Sequence, residues 1–405
     1  MDTADATGAR SLQAVSSLRT AILLGSLSFG ILQFALPIYA KGLGANALDI
    51  GGIISVFAVV ITVARPLVGW GIDRWGRKLF LSAAFVFYAL GMLLFGLARS
   101  IELLYLARLV QGIGSSLLWI PAYTMATELT SHGWGRSVGS IDMSSARGGF
   151  FGTFLGFGLI LAARSFPLGW SLTFGAYAIA AVLAALVIWR RVPETRLAVS
   201  APARDGAEPA NTLDRRFLLR LMLIVFLTGA SSSMISPLLM IFLQDRFTTD
   251  VPTLAAAFIP AALIYAFLPG RLGSLSDRFG RAPLMALGLI GAGLVSLGMP
   301  SASSLVFLAL LWVLEAIGLS AATPAEAALV ADLAGENVRG TGYGLYMFAS
   351  GLGFTVGPLI GGWLYDAAGH PVPFYVNGVL LFLGAGLVLW LLRRSPAKPN
   401  VPGAS

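Results

Sequence analysis

Five ionisable side chains lie inside long apolar runs of this sequence: Arg65, Arg108, Asp142, Arg147 and Glu315. Carrying such a group into a hydrocarbon layer costs roughly 2.5 to 3.5 kcal/mol, so each calls for a use. Glu315 stands about eleven residues into its run, with Trp312 one turn before it. A carboxyl so placed can load and lose a proton as its surroundings change, the chemistry of proton or cation coupling; the alternative is a carboxyl hydrogen-bonded to a neighbouring helix for packing. Glu326 stands three turns further on and nearly on the same face, where it reads as a gate or a solvated end charge. Arg108 stays charged and carries a fork of donors, so it can bias the protonation of a nearby acid or stabilise the first helix, against a snorkelling structural role. Arg65, beside Pro66 and two turns before a charged loop, reads as structural. Asp142 and Arg147 are five positions apart, about 140° around a helix, and so do not face one another. Asp142 lies near the end of its run, within reach of loop charges; Arg147 is deeper and can meet an anionic group of a substrate.

Other chemistries lack their residues. The chain has no Cys and only two His, His132 and His370, both at loop positions, so no metal or cofactor is expected. No Gly-rich nucleotide loop of the Walker type occurs, and the chain is not expected to be an enzyme.

The elements that must position these groups are membrane helices. Of 405 residues 57% are hydrophobic and 11% charged, against about 45 to 50% and about 25% in soluble domains. Apolar runs of about 20 residues cross a layer about 30 Å thick, and twelve of them are read: 18–40, 47–72, 79–98, 101–127, 137–162, 169–190, 217–243, 253–271, 283–300, 304–330, 341–366 and 373–393. An even count places both termini on one side. Lys and Arg at the run ends concentrate there, with only Lys41, Arg99, Arg164 and Arg246 opposite, so both termini are expected in the cytoplasm and the protein in the plasma (inner) membrane. The net charge of +8 is then a topology signal that also suits anionic headgroups of the lipid bilayer, and no nucleic acid partner is expected. The polar first seventeen residues lack a cleavable signal pattern, so the first helix is expected to be retained.

Two halves are expected: residues 1–192 and 215–405, six helices each, joined by a Pro-, Ala- and charge-rich cytoplasmic linker at 193–214. Sliding one half over the other by 204 residues puts Asp73 on Asp277, Gly76 on Gly280, Arg77 on Arg281, Gly114 on Gly318 and Glu128 on Asp332, and Gln111 falls on Glu315. The repeat is plainest in GWGIDRWGRK, from Gly69 to Lys78, and GSLSDRFGRA, from Gly273 to Ala282. In each, glycines permit a tight turn, the cations hold it at the cytoplasmic face, and an Asp can bind an arginine or a helix N-terminus.

Gly69, Asp73, Arg74, Gly76, Arg77 and Lys78, with Gly273, Asp277, Arg278, Gly280 and Arg281, resemble the duplicated loop of the major facilitator superfamily. That resemblance implies an all-α membrane protein of twelve transmembrane helices in two parallel-repeat six-helix bundles. It also implies that Asp73 latches the second helix to the eleventh when the cytoplasmic side is closed, and Asp277 the eighth to the fifth. Glu128 with Arg136, and Asp332 with Arg339, look like the partners completing each cluster, and Asp142 can join the first. Plain topology and turn capping is the alternative. Arg108, Gln111 and Gly112 resemble the family's fourth-helix motif, and GFTVGPLIGG in the eleventh run looks like its antiporter motif. Drug antiporters carry that motif in the fifth helix, where this chain has Thr153 and Phe154 instead of Gly-Pro.

In this family the first, fourth, seventh and tenth helices line a central cavity. Here they offer Gln33 and Phe34; Gln111, Ser115, Trp119 and Tyr123; Ser232, Ser233, Ser236 and Met240; and Glu315. Aromatic, Met-containing walls suit amphipathic small molecules better than sugars, whose hydroxyls need many polar partners. The expectation is a monomeric secondary transporter of small molecules, coupled to protons through Glu315 and Arg108 and exporting its substrate. Uptake of a small metabolite is the first rival, and a non-transporting sensor or scaffold the second.

Overall fold

The computed structural model describes residues 2–129, 134–195, 215–268, 280–334 and 339–394. They form α1 (Asp2–Gly25), α2 (Ser28–Gly42), α3 (Ala47–Trp75), α4 (Arg77–Leu97), α5 (Ile101–Glu128), α6 (Trp134–Ala162), α7 (Phe166–Arg191), α8 (Arg215–Arg246), α9 (Val251–Phe267), α10 (Arg281–Gly298), α11 (Leu305–Ala334), α12 (Arg339–Ala368) and α13 (Val372–Arg394). A 3₁₀ turn at Met299–Ser301 follows α10. Among the described residues there is no strand. Among the described residues eleven spans are long and apolar enough to cross a membrane, α1 and α2 serving jointly as Ser11–Gly42. α9 has 17 residues, just short of that length, and residues 269–279 of the eighth predicted run lie outside the described set.

Helix ends follow local chemistry. Asn46 starts α3 with a reciprocal capping box: its side chain accepts from the Asp49 amide at 2.7 Å, and Asp49 accepts from the Asn46 amide at 3.1 Å. The turn between α3 and α4 is a single residue, Gly76, at φ +95°, and Gly280 before α10 takes φ +90°. These two positions, 204 residues apart, adopt the left-handed backbone that glycine alone enters cheaply, so the repeat is visible in the backbone itself.

The chain divides into two compact units. One is Met1–Asp205 with Ser236–Ile241 and Pro358–Asp366; the other is Gly206–Ile235, Phe242–Gly357 and Ala367–Ser405. In the first, Trp170 stacks on Tyr39 at 4.0 Å and donates its indole N–H to the Phe95 carbonyl at 2.6 Å, so a large buried ring leaves no unmet donor. In the second, Ile224, Val225, Met285, Leu289, Ala322 and Leu381 share an apolar core. Beside it Ser231 donates to Asn377, Asn377 to Ser296, and Ser296 to the Phe374 carbonyl, which satisfies a buried polar chain across three helices.

Close helix approach depends on glycine spacing. A Cβ on Gly148 would stand 2.3 Å from the Leu23 carbonyl oxygen, and one on Gly152 only 1.8 Å from that of Leu27. In the second unit, a Cβ on Gly353 would lie 2.6 Å from the Phe226 oxygen and one on Gly357 2.3 Å from that of Ala230. Both halves therefore use small residues four apart to bring two helix backbones together. The lack of a Gly-Pro pair in α6 does not remove this packing.

Candidate functional site

The first loop cluster is built around Arg77. Its side chain is buried, with Nη2 3.1 Å from Glu128 Oε1 and 3.4 Å from Asp73 Oδ1, while Nη1 donates to the Ile72 carbonyl at 3.1 Å. One guanidinium thus ties the end of α3, the start of α4 and the end of α5 together. Glu194, just beyond α7, accepts from the Arg77 and Lys78 amides at 2.9 and 3.0 Å. Those amides are unmet donors at the positive end of α4, where a carboxylate is favoured. Thr195 donates to Glu128 Oε2, which closes the ring. Glu194 was not among the expected site residues; the signal was Pro-Glu-Thr at the start of what reads as a linker. Replacing Glu194 by Ala should lower stability by about 1 kcal/mol and loosen the loop, read as a lower melting temperature of the purified protein; an unchanged midpoint would remove it from the cluster.

Asp73 presents a side chain that is 76% exposed, so its link to Arg77 contributes little by itself. Arg74 turns to the rings of Trp70 and Trp75, at 5.5 and 6.0 Å. A Cβ on Gly71 would lie 2.4 Å from the tip of the Phe80 ring, which would have to turn aside, whereas one on Gly69 meets no described atom within 4 Å. Of the second copy, Gly280 takes its positive φ just before Arg281, the first residue of α10. Gly273, Asp277 and Arg278 lie outside the described residues, as do the side chains of Arg136, Asp332 and Arg339.

Inside the first unit, Arg108 is buried, donates to Gln111 Oε1 at 2.7 Å and stands 4.9 Å over the Phe57 ring. No carboxylate among the described residues pairs with it, and its Nε has no hydrogen-bond partner there. Gln111 and Ser115 are buried beside it. Further along α5, Trp119 and Tyr123 stack at 5.6 Å, and Tyr123 donates to Asp142 Oδ1 at 2.6 Å. Asp142 thus joins α6 to α5 through a phenol, and no described loop cation reaches it. Arg147 is exposed on another face of α6. Gln33 donates to Ser236 at 2.6 Å, both within the first unit, and Phe34 is half-buried.

In the second unit Ser233 donates to the Gly229 carbonyl at 2.8 Å and lies 3.3 Å from that of Gly353, so its hydroxyl serves the α8–α12 contact. Met240, grouped with the first unit, is buried as well. Glu315 on α11 is only 7% exposed, and among the described residues it has no hydrogen-bond partner. Trp312, a turn earlier, meets Phe258 edge-on at 3.8 Å. Glu326 differs: it accepts from the Thr228 hydroxyl at 2.8 Å, a tie to α8 that its spacing from Glu315 did not foretell. Among the described residues no group of three or more His, Cys, Asp or Glu could hold a metal.

Comparison with known proteins now adds a family. The family model described as Major Facilitator Superfamily matches residues 20–269 and 221–405. "Multidrug resistance protein 1" of Bacillus subtilis (strain 168) is 24% identical over 379 residues, covering 92% of this chain and 94% of that protein. The "Synaptic vesicular amine transporter" of Homo sapiens is 28% identical over 375 residues, with 89% of this chain and 70% of that one covered. A crystal structure of a bacterial homolog of the human lysosomal transporter Spinster, in an inward-facing and occupied conformation, superposes with a TM-score of 0.76 at 18% identity, over 94% of this chain and 96% of that one. Relatives and fold are those of transporters, not of enzymes.

Proposed function

The chain belongs to the Major Facilitator Superfamily, and on that premise we propose that it exports hydrophobic or amphipathic small molecules in exchange for protons by alternating access. Transport of a small molecule by a multi-pass membrane protein follows from the family; coupling and direction are the proposal. The observation that carries it is Glu315, a carboxyl buried on a membrane helix with no described partner. A bare charge there is expensive, so the proton-loaded and proton-free protein favour different surroundings for this side chain. Any group whose protonation has unequal cost in two conformations shifts their balance, which is how a proton gradient can drive the cycle.

Arg108 is the matching fixed charge in the other half, held by Gln111 and Phe57 and free of a described carboxylate partner, so it can respond to the charge of whatever occupies the cavity. The Asp73–Arg77–Glu128–Glu194 cluster serves as a cytoplasmic gate, with the exposed Asp73 carboxylate available to a partner that the closed state brings near. The second loop performs the same service through Asp277, Arg278 and Arg281, with Asp332 and Arg339. This reading places the protein in the plasma (inner) membrane as a monomer with both termini in the cytoplasm, without a nucleic acid partner. The names of the multidrug relatives support the substrate class.

Cells expressing the protein should hold less of a fluorescent lipophilic cation than cells without it, and a protonophore should erase the difference. Equal loading of energised cells with and without the protein would move the reading to uptake of a small metabolite.

A further inference from the structure

The end of α3 opposite the charged loop carries a contact that neither proton coupling nor the loop cluster uses. The first amides of a helix have no acceptor within it. In α3 the Asn46 side chain meets the Asp49 amide, which leaves those of Ala47 and Leu48. Asp366, near the end of α12, meets both: Oδ1 accepts from the Ala47 amide at 3.3 Å and Oδ2 from the Leu48 amide at 2.9 Å. A carboxylate at the positive end of a helix is favoured by charge as well as by hydrogen bonding.

Behind this contact the two helices touch through glycine. A Cβ on Gly362 would lie 2.4 Å from the Ala47 oxygen, and one on Gly51 2.1 Å from the Pro358 oxygen. The start of α3 is fixed from its other side, where Tyr105 of α5 donates to the Asp49 carbonyl at 3.0 Å and Gly52 makes room for the phenol. α12 is weaker along its length. Pro358 lies inside it and has no amide hydrogen to give the Phe354 carbonyl. The division of the chain falls at the same place: α12 belongs to the second unit up to Gly357, and Pro358–Asp366 belongs to the first. The internal repeat does not demand the contact, since Ala162 stands 204 residues before Asp366.

We propose that Asp366 is a releasable latch: its carboxylate clamps Pro358–Asp366 to the start of α3, and this segment swings away about Pro358 when that end of the protein opens to a substrate. Release is feasible because Asp366 is exposed, so water can take over its oxygens, and because glycines at the seam leave no interlocked side chains to withdraw. Its place in a transport cycle, at the outer end on the proposed orientation, rests on the transport reading; release of the segment depends on neither protons nor the direction of transport.

The chain has no Cys, so a single thiol can report on the seam. Ser55 is buried and stands one turn beyond Gly51 on the same face of α3. The rate at which Ser55→Cys, in the full-length protein in nanodiscs, reacts with a charged methanethiosulfonate reagent follows how often the seam opens. Adding Asp366→Ala should raise that rate by about fivefold or more. Asp366→Glu, which keeps the carboxylate, should return most of the way to the original rate. Asp366→Asn, which keeps the size and one acceptor, should fall between, and it carries the test if the Ala variant does not fold. Ser296→Cys, buried where α10 meets α13, reports general loosening and should react no faster when Asp366 is changed. An unchanged rate at position 55, or an equal rise at both positions, would show Asp366 to be a fixed helix cap and overturn the proposal. A rise confined to position 55 in a protein that moves no dye in cells would leave the latch standing and remove the export reading alone.

Discussion

Glu315→Gln should reduce transport driven by a pH gradient to the level of membranes without the protein, while the variant folds and binds substrate like wild type. Gln matches Glu in size and polarity but cannot take up and release a proton, so the change removes coupling and little else. Vesicles given an imposed pH jump would show it as loss of gradient-driven dye movement, with a wild-type rate that varies across about pH 6 to 8 and a variant rate that does not. Glu326→Gln is the instructive contrast. Its carboxyl already accepts from Thr228, and Gln can keep that bond, so a much smaller loss is expected. Equal activity of wild type and Glu315→Gln over that pH range would remove Glu315 as the coupling site.

Gly152→Ala should destabilise the protein by about 3 kcal/mol, because overpacking a tight contact costs this much when backbone must move. The added Cβ would lie 1.8 Å from the Leu27 carbonyl oxygen, and the Gly152 carbonyl also accepts the Tyr177 hydroxyl at 2.6 Å, so neither helix can yield cheaply. Gly158→Ala, on the same helix with no described atom within 4 Å of its Cβ, should be neutral or slightly stabilising. Monodisperse protein remaining after heating would separate the two by roughly 4 °C. Equal midpoints would show that α6 is free to move away from the residues around Leu27.

Much of the frame was legible because it depends on short-range features. Runs of apolar residues marked the helices, and the glycine repeated in each loop, Gly76 and Gly280, takes a positive φ in both copies. The fold class was legible in the same way, through a motif present twice at one spacing. Less legible was everything that depends on one helix meeting another. Glu194 looked like the start of a solvated linker, yet it caps α4, because nothing along the chain says which helix end a loop carboxylate will reach. Asp142 was grouped with the loop charges by its depth alone; its phenol partner comes from α5, nineteen residues earlier. Ser233 was read as cavity lining, but its hydroxyl serves the contact between α8 and α12, a use set by the close approach at Gly357. Burial of Glu315 was the expectation that spacing and apolar context could support, since it stands near the middle of its run with apolar neighbours on both sides.

The central claim, exchange of substrate for protons, is met most directly by following both at once. Proteoliposomes loaded with ethidium and a pH-sensitive dye would be diluted into ethidium-free buffer without an imposed pH gradient. The account predicts that the interior acidifies as ethidium leaves through the wild-type protein, and that Glu315→Gln shows no acidification. Ethidium efflux through the wild type with no accompanying proton movement would contradict it.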